Sequence, residues 1–299
     1  MNANTINQNA IDVLDKNGIY DKNDYYTAQQ LFKQNAKSAP SLMTFNNLGV
    51  FYTENGMELS NGKIISAKKH GLKYLKKASS FSNSYINFMA IGDWYFRERD
   101  YLNAECYYRK VYNLHTTSDV IANLGFSLFM QQKYNEASTI FEEGLHICEI
   151  DKKDEINLAY AFSLVYSNKS RKHVQRVLET LEDKGNCDVL ALAYFNGDMK
   201  LVEELIEVIA DNYYISIPTI AMVIDCLLGL EKQNEAKEFL SEQVEKLKEF
   251  DYDIEDEFNS LSKLIENEDT RNTEISNYRY FPRIYRICYF IGCKEHNPL

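Results

Sequence analysis

Glycine and proline are scarce in this chain of 299 residues, at 12 and 4. A fold built of many short strands needs turn residues at roughly 8–12-residue intervals, so their scarcity argues against sandwiches, barrels and Pro/Gly-rich linkers. Long apolar runs are missing as well. The longest, Ile217–Leu230, spans 14 residues and carries Pro218 and Asp225, whereas a membrane-spanning helix needs about 20. No membrane partner is expected. Positive charge is also in deficit: 33 Lys and Arg stand against 44 Asp and Glu, a net charge of −11, which disfavours a nucleic-acid or anionic-lipid surface. The opening residues MNANTINQNA lack the basic stretch and apolar core of a secretory signal. The expected compartment is therefore the cytoplasm, with the six cysteines (Cys106, Cys148, Cys187, Cys226, Cys288 and Cys293) as reduced thiols packed like small apolar groups.

What the chain does have is 45% apolar and 26% charged residues, enough for a substantial core in a helix-rich protein. It also repeats itself. Phe45-Asn46-Asn47-Leu48-Gly49 is followed by Tyr52. Phe88-Met89-Ala90-Ile91-Gly92 is followed by Tyr95, then Ala104, Tyr108 and Val111. Ile121-Ala122-Asn123-Leu124-Gly125 is followed by Leu128, then Ala137, Phe141 and Gly144. Fainter copies run through Ala161 and Leu164, and through Ile224, Leu227, Ala236 and Leu240. This grammar resembles the tetratricopeptide repeat, in which small residues let two antiparallel helices approach and large ones fill the space between pairs. Ala28, Phe32 and Pro40 fit a second helix closed by the family's terminal proline.

The small residues of the second helices align as Ala28, Gly71, Ala104, Ala137, Val174, Val202 and Ala236, scattered around the family's period of about 34 residues. About ten extra residues fall within Thr53–Ser66, which makes that repeat resemble the Sel1-like variant with its longer Gly-containing inter-helix loop. The resemblance implies an all-α, right-handed α-solenoid of six or seven degenerate helix pairs over residues 1–250. Residues 251–270 hold eight acidic residues against Lys263, yet Ile254, Phe258, Leu261, Leu264 and Ile265 share one helical face, as expected of an acidic amphipathic capping helix. Residues 271–299 form a basic aromatic segment, with Arg271, Arg279, Arg283, Arg286 and Lys294 against Glu274 and Glu295.

Candidate chemistry is thin. The five histidines lack the i, i+4 spacing of a helical metal site. Cys288-x4-Cys293-x2-His296 offers three ligands, but no fourth stands at a recognisable interval, so no metal is expected. With no phosphate loop, nucleophile elbow or paired-carboxylate spacing, neither a cofactor nor a catalytic residue is assigned, and the chain is read as a non-enzyme.

A solenoid acts through its concave face. In the tetratricopeptide family an Asn just before the Leu-Gly pair often binds a ligand's main chain. A carboxamide presents a donor and an acceptor together and so matches a peptide unit. Asn47 and Asn123 occupy that place, and the intermediate repeat has Ala90. The same face continues with Val50, Asp93, Phe96, Arg97, Phe126, Phe129, Phe162 and Tyr166. Of the basic residues that a clamp for a terminal carboxylate requires, only Arg97 fits.

Three functions stand side by side. The first is a non-catalytic scaffold binding a peptide or protein segment in its groove. The second is a peptide-sensing regulator resembling the bacterial pheromone receptors but without their DNA-binding domain. The third is an enzyme or nucleic-acid binder using the basic aromatic C-terminus, against which the net charge counts. A loose tail carrying Tyr278, Tyr280, Phe281, Ile284, Tyr285, Ile287, Tyr289 and Phe290 would expose a large apolar surface. It is therefore expected to pack in the groove or on the last helices, its arginines toward acids such as Asp253, Asp256 or Glu257.

Overall fold

The computed structural model describes residues 2–15, 22–55, 57–60, 63–66, 68–147, 153–169, 171–181, 187–212, 215–248, 255–266 and 282–298. Helices pair in sequence order. Ala3–Asp15 (α1) packs on Lys22–Ser38 (α2), Leu42–Asn55 (α3) on Lys68–Ala78 (α4), Tyr85–Arg97 (α5) on Tyr101–Leu114 (α6), and Ser118–Met130 (α7) on Tyr134–Leu145 (α8). These four hairpins form one compact unit, Met1–Cys148, together with Ile284–Leu299. A second unit, Glu149–Arg283, holds three more. In it Lys153–Tyr166 (α9) pairs with Arg171–Thr180 (α10), Cys187–Asn196 (α11) with Met199–Ala210 (α12), and Ile217–Gly229 (α13) with Gln233–Lys248 (α14). The acidic amphipathic helix is present as Glu255–Glu266 (α15), which packs on α13 and α14 and buries Leu261, Leu264 and Ile265. The insertion between α3 and α4 is folded as a short antiparallel ribbon, Met57–Ser60 (β1) against Lys63–Ser66 (β2), with Met57 opposite Ser66.

Local sequence explains where the helices start. Asp100, Thr117, Asp198 and Ser216 each accept a hydrogen bond from the backbone N–H three residues on, capping α6, α7, α12 and α13. Pro218 sits in the first turn of α13, where it has no N–H to leave unpaired. The turn inside five hairpins is the same device. Arg99, Gln132, Asn168, Gly197 and Glu231 take positive φ, between 55° and 77°. The next N–H, of Asp100, Lys133, Lys169, Asp198 and Lys232 respectively, reaches back five residues to a carbonyl of the first helix. A left-handed residue followed by such a bond ends a helix and turns the chain at once.

The small residues do what the repeat grammar implies. Ala28, Ala104, Ala137, Val174, Val202 and Ala236 are fully buried, and Gly71 is buried in α4. At the Leu-Gly pairs the partner helix presses a large side chain onto the glycine. A Cβ at Gly49 would lie 2.7 Å from Leu75 and one at Gly92 2.6 Å from the Tyr108 ring, while at Gly125 it would run into the Phe141 ring. Every receiving side chain is fully buried.

Two expectations test this arrangement. Leucine at Gly92 or Gly125 should destabilise the protein by about 1–3 kcal/mol or more through overpacking, and unchanged melting temperatures in both variants would refute the register. Gln132→Gly should have the opposite sign. Gln132 is exposed and left-handed, a conformation that costs a non-glycine residue about 1–2 kcal/mol, partly offset by glycine's greater freedom when unfolded. Urea denaturation should show a gain of roughly 0.5–1 kcal/mol; a loss would mean that the glutamine side chain outweighs the strain.

Candidate peptide-binding groove

In the first unit the first helices α3, α5 and α7 each turn one face toward their second helix. Another face carries asparagines in the helix interior, and Asn46, Asn47, Asn87 and Asn123 are all fully buried. A buried carboxamide without partners costs about 1–3 kcal/mol, so these side chains need something to bind. Asn87 finds partners inside the unit, the Leu75 carbonyl and Asn46; for Asn46, Asn47 and Asn123 the C-terminal segment supplies them. Asn123 Nδ2 donates to the Tyr285 carbonyl at 2.8 Å, and its Oδ1 accepts from the Tyr285 N–H at 2.8 Å. Asn47 repeats the pattern on Ile291, again at 2.8 Å in both directions. Each asparagine thus holds both main-chain groups of a single residue.

The six-residue step from Tyr285 to Ile291 reaches about 20 Å when extended. That matches two steps of about 10 Å between successive first helices, from α7 through α5 to α3. The segment therefore runs against the order of the repeats, from the fourth hairpin toward the first. The middle repeat, with Ala90 in the clamp position, engages it differently. Asn46 Nδ2 donates to the Tyr289 carbonyl at 2.7 Å, and Asn87 Nδ2 orients Asn46 by donating to its Oδ1 at 3.1 Å. At the far end Asn7 Nδ2 on α1 donates to the Ile291 carbonyl at 3.1 Å.

Side chains fill subsites along the way. The Tyr289 hydroxyl donates to one oxygen of Asp93, and the Tyr108 hydroxyl donates to the other at 2.7 Å. Asp93 is fully buried, and burial pushes its carboxyl from 3.8 up to about 7, against the opposing influence of the Tyr108 hydroxyl and the Arg97 charge. Tyr285 stacks on Phe126 with ring centroids 6.2 Å apart, and Phe290 on Phe32 at 5.6 Å and 3°. Arg286 pairs with Glu54, which also binds Arg97 at 3.1 Å. The arginine's acidic partner is thus on α3; Asp253 and the side chain of Glu257 lie outside the described residues.

Of the residues singled out from the sequence, Asn47, Asp93, Asn123 and Phe126 touch the segment directly, and Arg97 joins it through Glu54. Phe96 and Phe129 pack edge-on against Tyr101 and Tyr134 of their own hairpins. Val50 is buried in α3. Phe162 and Tyr166 belong to α9, where they stack on each other at 6.1 Å, with Tyr166 also meeting Phe195. Sequence reasoning passed over Asn7, Asn46, Glu54 and Asn87. The Asn46-Asn47 doublet was the available signal, since consecutive polar residues inside an apolar helix are costly unless both are used.

The Asp93 assignment has a pH signature. Its native pKa lies above the unfolded value, so the native state binds the extra proton between about pH 4 and 7, and stability falls as pH rises through that window. The slope from one such group reaches about 1.4 kcal/mol per pH unit. Asp188, raised to about 6 chiefly by burial, adds in the same direction. The measurement is therefore the stability of the wild type minus that of Asp93→Asn, which should fall steadily from pH 5 to pH 7. A constant difference would show that Asp93 does not titrate there.

No family model matches the sequence, and no curated protein matches it. Solved structures do resemble the fold. A tetratricopeptide repeat protein from Parabacteroides merdae is similar at a TM-score of 0.61 and 14% identity, covering 89% of this chain and 99% of that one. The pilF structure from Pseudomonas aeruginosa is similar at 0.50 and 14%, covering 87% and 96%. Among the described residues no helix is long and apolar enough to cross a membrane. The chain is an all-α solenoid of tetratricopeptide-like helix hairpins.

Proposed function

We propose that the groove of the first unit is a non-catalytic binding site for an extended peptide or protein segment, and that residues 284–298 are its resident ligand. The observation that carries this reading is the double clamp by Asn47 and Asn123. Carboxamides that grip main-chain N–H and C=O recognise a peptide as a peptide, whatever its side chains. Sequence preference then comes from the subsites: an aromatic ring on Phe126, a tyrosine hydroxyl on Asp93 and a cation beside Glu54. A partner presenting those features in the same direction would compete with the tail. Because the tail belongs to the same chain, its binding is intramolecular, so a partner competing with it must bind tightly or arrive in several contacts.

A second reading has a specific observation behind it. Cys293 is buried in the same apolar cluster as Ile11, Phe32 and Phe51, with Cys288 and Phe290 packed against it, as a permanent cap would be. One experiment separates the two. A synthetic peptide spanning Pro282–Asn297 is added to protein truncated before Pro282. Saturable binding, weakened by about 1–3 kcal/mol in Asn47→Ala or Asn123→Ala and blocked in the full-length chain, is the expected result. No binding, together with a sharply lowered melting temperature of the truncated protein, would make the segment a cap and overturn the groove reading.

A further inference from the structure

The final turn of the C-terminal segment carries a group of side chains that the peptide groove does not use. Cys288, Cys293 and His296 bring two thiol sulfurs and an imidazole nitrogen within 4.8 Å of one another. Cys293 Sγ lies 3.6 Å from His296 Nδ1. A tetrahedral zinc ion with Zn–S of about 2.3 Å and Zn–N of about 2.0–2.1 Å sets ligating S and N atoms about 3.6 Å apart. The observed separation, that of a thiol–imidazole hydrogen bond, is also the one that two ligands of a single ion would keep.

The backbone fixes these donors in place. Gly292 takes φ 79°, the left-handed region that suits glycine, where the turn begins. The turn is then closed by Gly292 N–H to the Asn297 carbonyl at 2.9 Å and by Asn297 N–H to the Cys293 carbonyl at 2.9 Å. Asn297 Nδ2 reaches across to the Cys288 carbonyl at 2.5 Å, tying the residue of the first thiol to the turn that carries the other two donors. One side of the group is sealed by the apolar cluster around Cys293. The other borders a cavity of about 600 Å³ that Cys288 and His296 line together with His115, Asp119 and Glu295. The spacing of the three donors in the sequence offered no fourth ligand. The fold puts His115, Asp119 and Glu295 around the same cavity, together with the hydroxyls of Tyr85 and Thr117, the Asn297 carboxamide and the cationic Arg286, and leaves room for water.

We propose that Cys288, Cys293 and His296 form a three-ligand site for a thiophilic divalent cation of the zinc type, its fourth position open to this cavity. Two thiolates and an imidazole select such an ion over magnesium or calcium, which take oxygen ligands. The site rests on its own geometry and stands whether or not the groove takes an external peptide. Occupied, it would tie Cys288 to His296 at the end of the segment that Asn47 holds, so the ion would resist peeling of that end from the groove.

The test uses the full-length protein, reduced, stripped with a chelator and checked for reactive thiols. Cobalt(II) is titrated in as the probe. The expected result is one ion per chain, a thiolate-to-cobalt charge-transfer band in the near ultraviolet and tetrahedral d–d bands in the visible, all bleached by equimolar zinc. Cys288→Ser and His296→Ala should each weaken cobalt binding by more than about tenfold. His296 is exposed, so its replacement keeps the fold, and an unchanged helical circular dichroism spectrum verifies this. Absence of the charge-transfer band with the thiols shown to be reduced, or a band of equal affinity in both variants, would overturn the site.

Discussion

How closely two helices can touch governs this molecule. In three hairpins of the first unit the first helix has a glycine against which the second presses a buried side chain: Leu75 on Gly49, Tyr108 on Gly92, Phe141 on Gly125. Each fully buried ring or leucine contributes roughly 1.5–3 kcal/mol, and none could sit there over a Cβ. Because that contact secures the hairpin along one stripe, the remaining faces of α3, α5 and α7 are released from packing on their partners. Those faces can then hold polar groups that a closed core would exclude.

The polar face and the segment lying on it depend on each other. Three fully buried asparagines, Asn46, Asn47 and Asn123, would be a severe liability if left dry and unpaired. An extended strand laid alone on a protein surface would likewise leave main-chain groups unpaired. Bringing the two together answers both needs. The ion pair of Arg286 with Glu54 contributes little beside this, since both side chains are partly exposed, at 48% and 24%, and such pairs are worth about 0–1 kcal/mol.

The hairpins could be read from the sequence because helix pairing is local: Leu48-Gly49, Ile91-Gly92 and Leu124-Gly125 declare their register within one repeat. Asn47 and Asn123 were legible for the same reason, each standing immediately before such a pair. What they hold was legible only as one of two places for the aromatic tail, because the partner residues lie 244 and 162 positions away and periodicity says which face is polar without saying what covers it. Glu54 escaped notice because its role exists only once Arg286 arrives. The turns were illegible for a different reason. Arg99, Gln132, Asn168 and Glu231 adopt a conformation usually signalled by glycine, and the five-residue back-bond that compensates them leaves no mark on side-chain identity. The ribbon between α3 and α4 was visible only as surplus length.

The first unit is discontinuous along the chain, and that has a consequence for its synthesis. Helices α1–α8 leave the ribosome first, but the segment that satisfies Asn47 and Asn123 follows only after the whole of Glu149–Arg283 has been made. At roughly 5–20 residues per second that delay is on the order of ten seconds, far longer than helical hairpins take to form. During it the nascent chain displays a folded groove whose own occupant does not yet exist. If the groove takes an external peptide as proposed, that peptide would meet the surface without its resident segment during translation, and later encounters would begin with displacement.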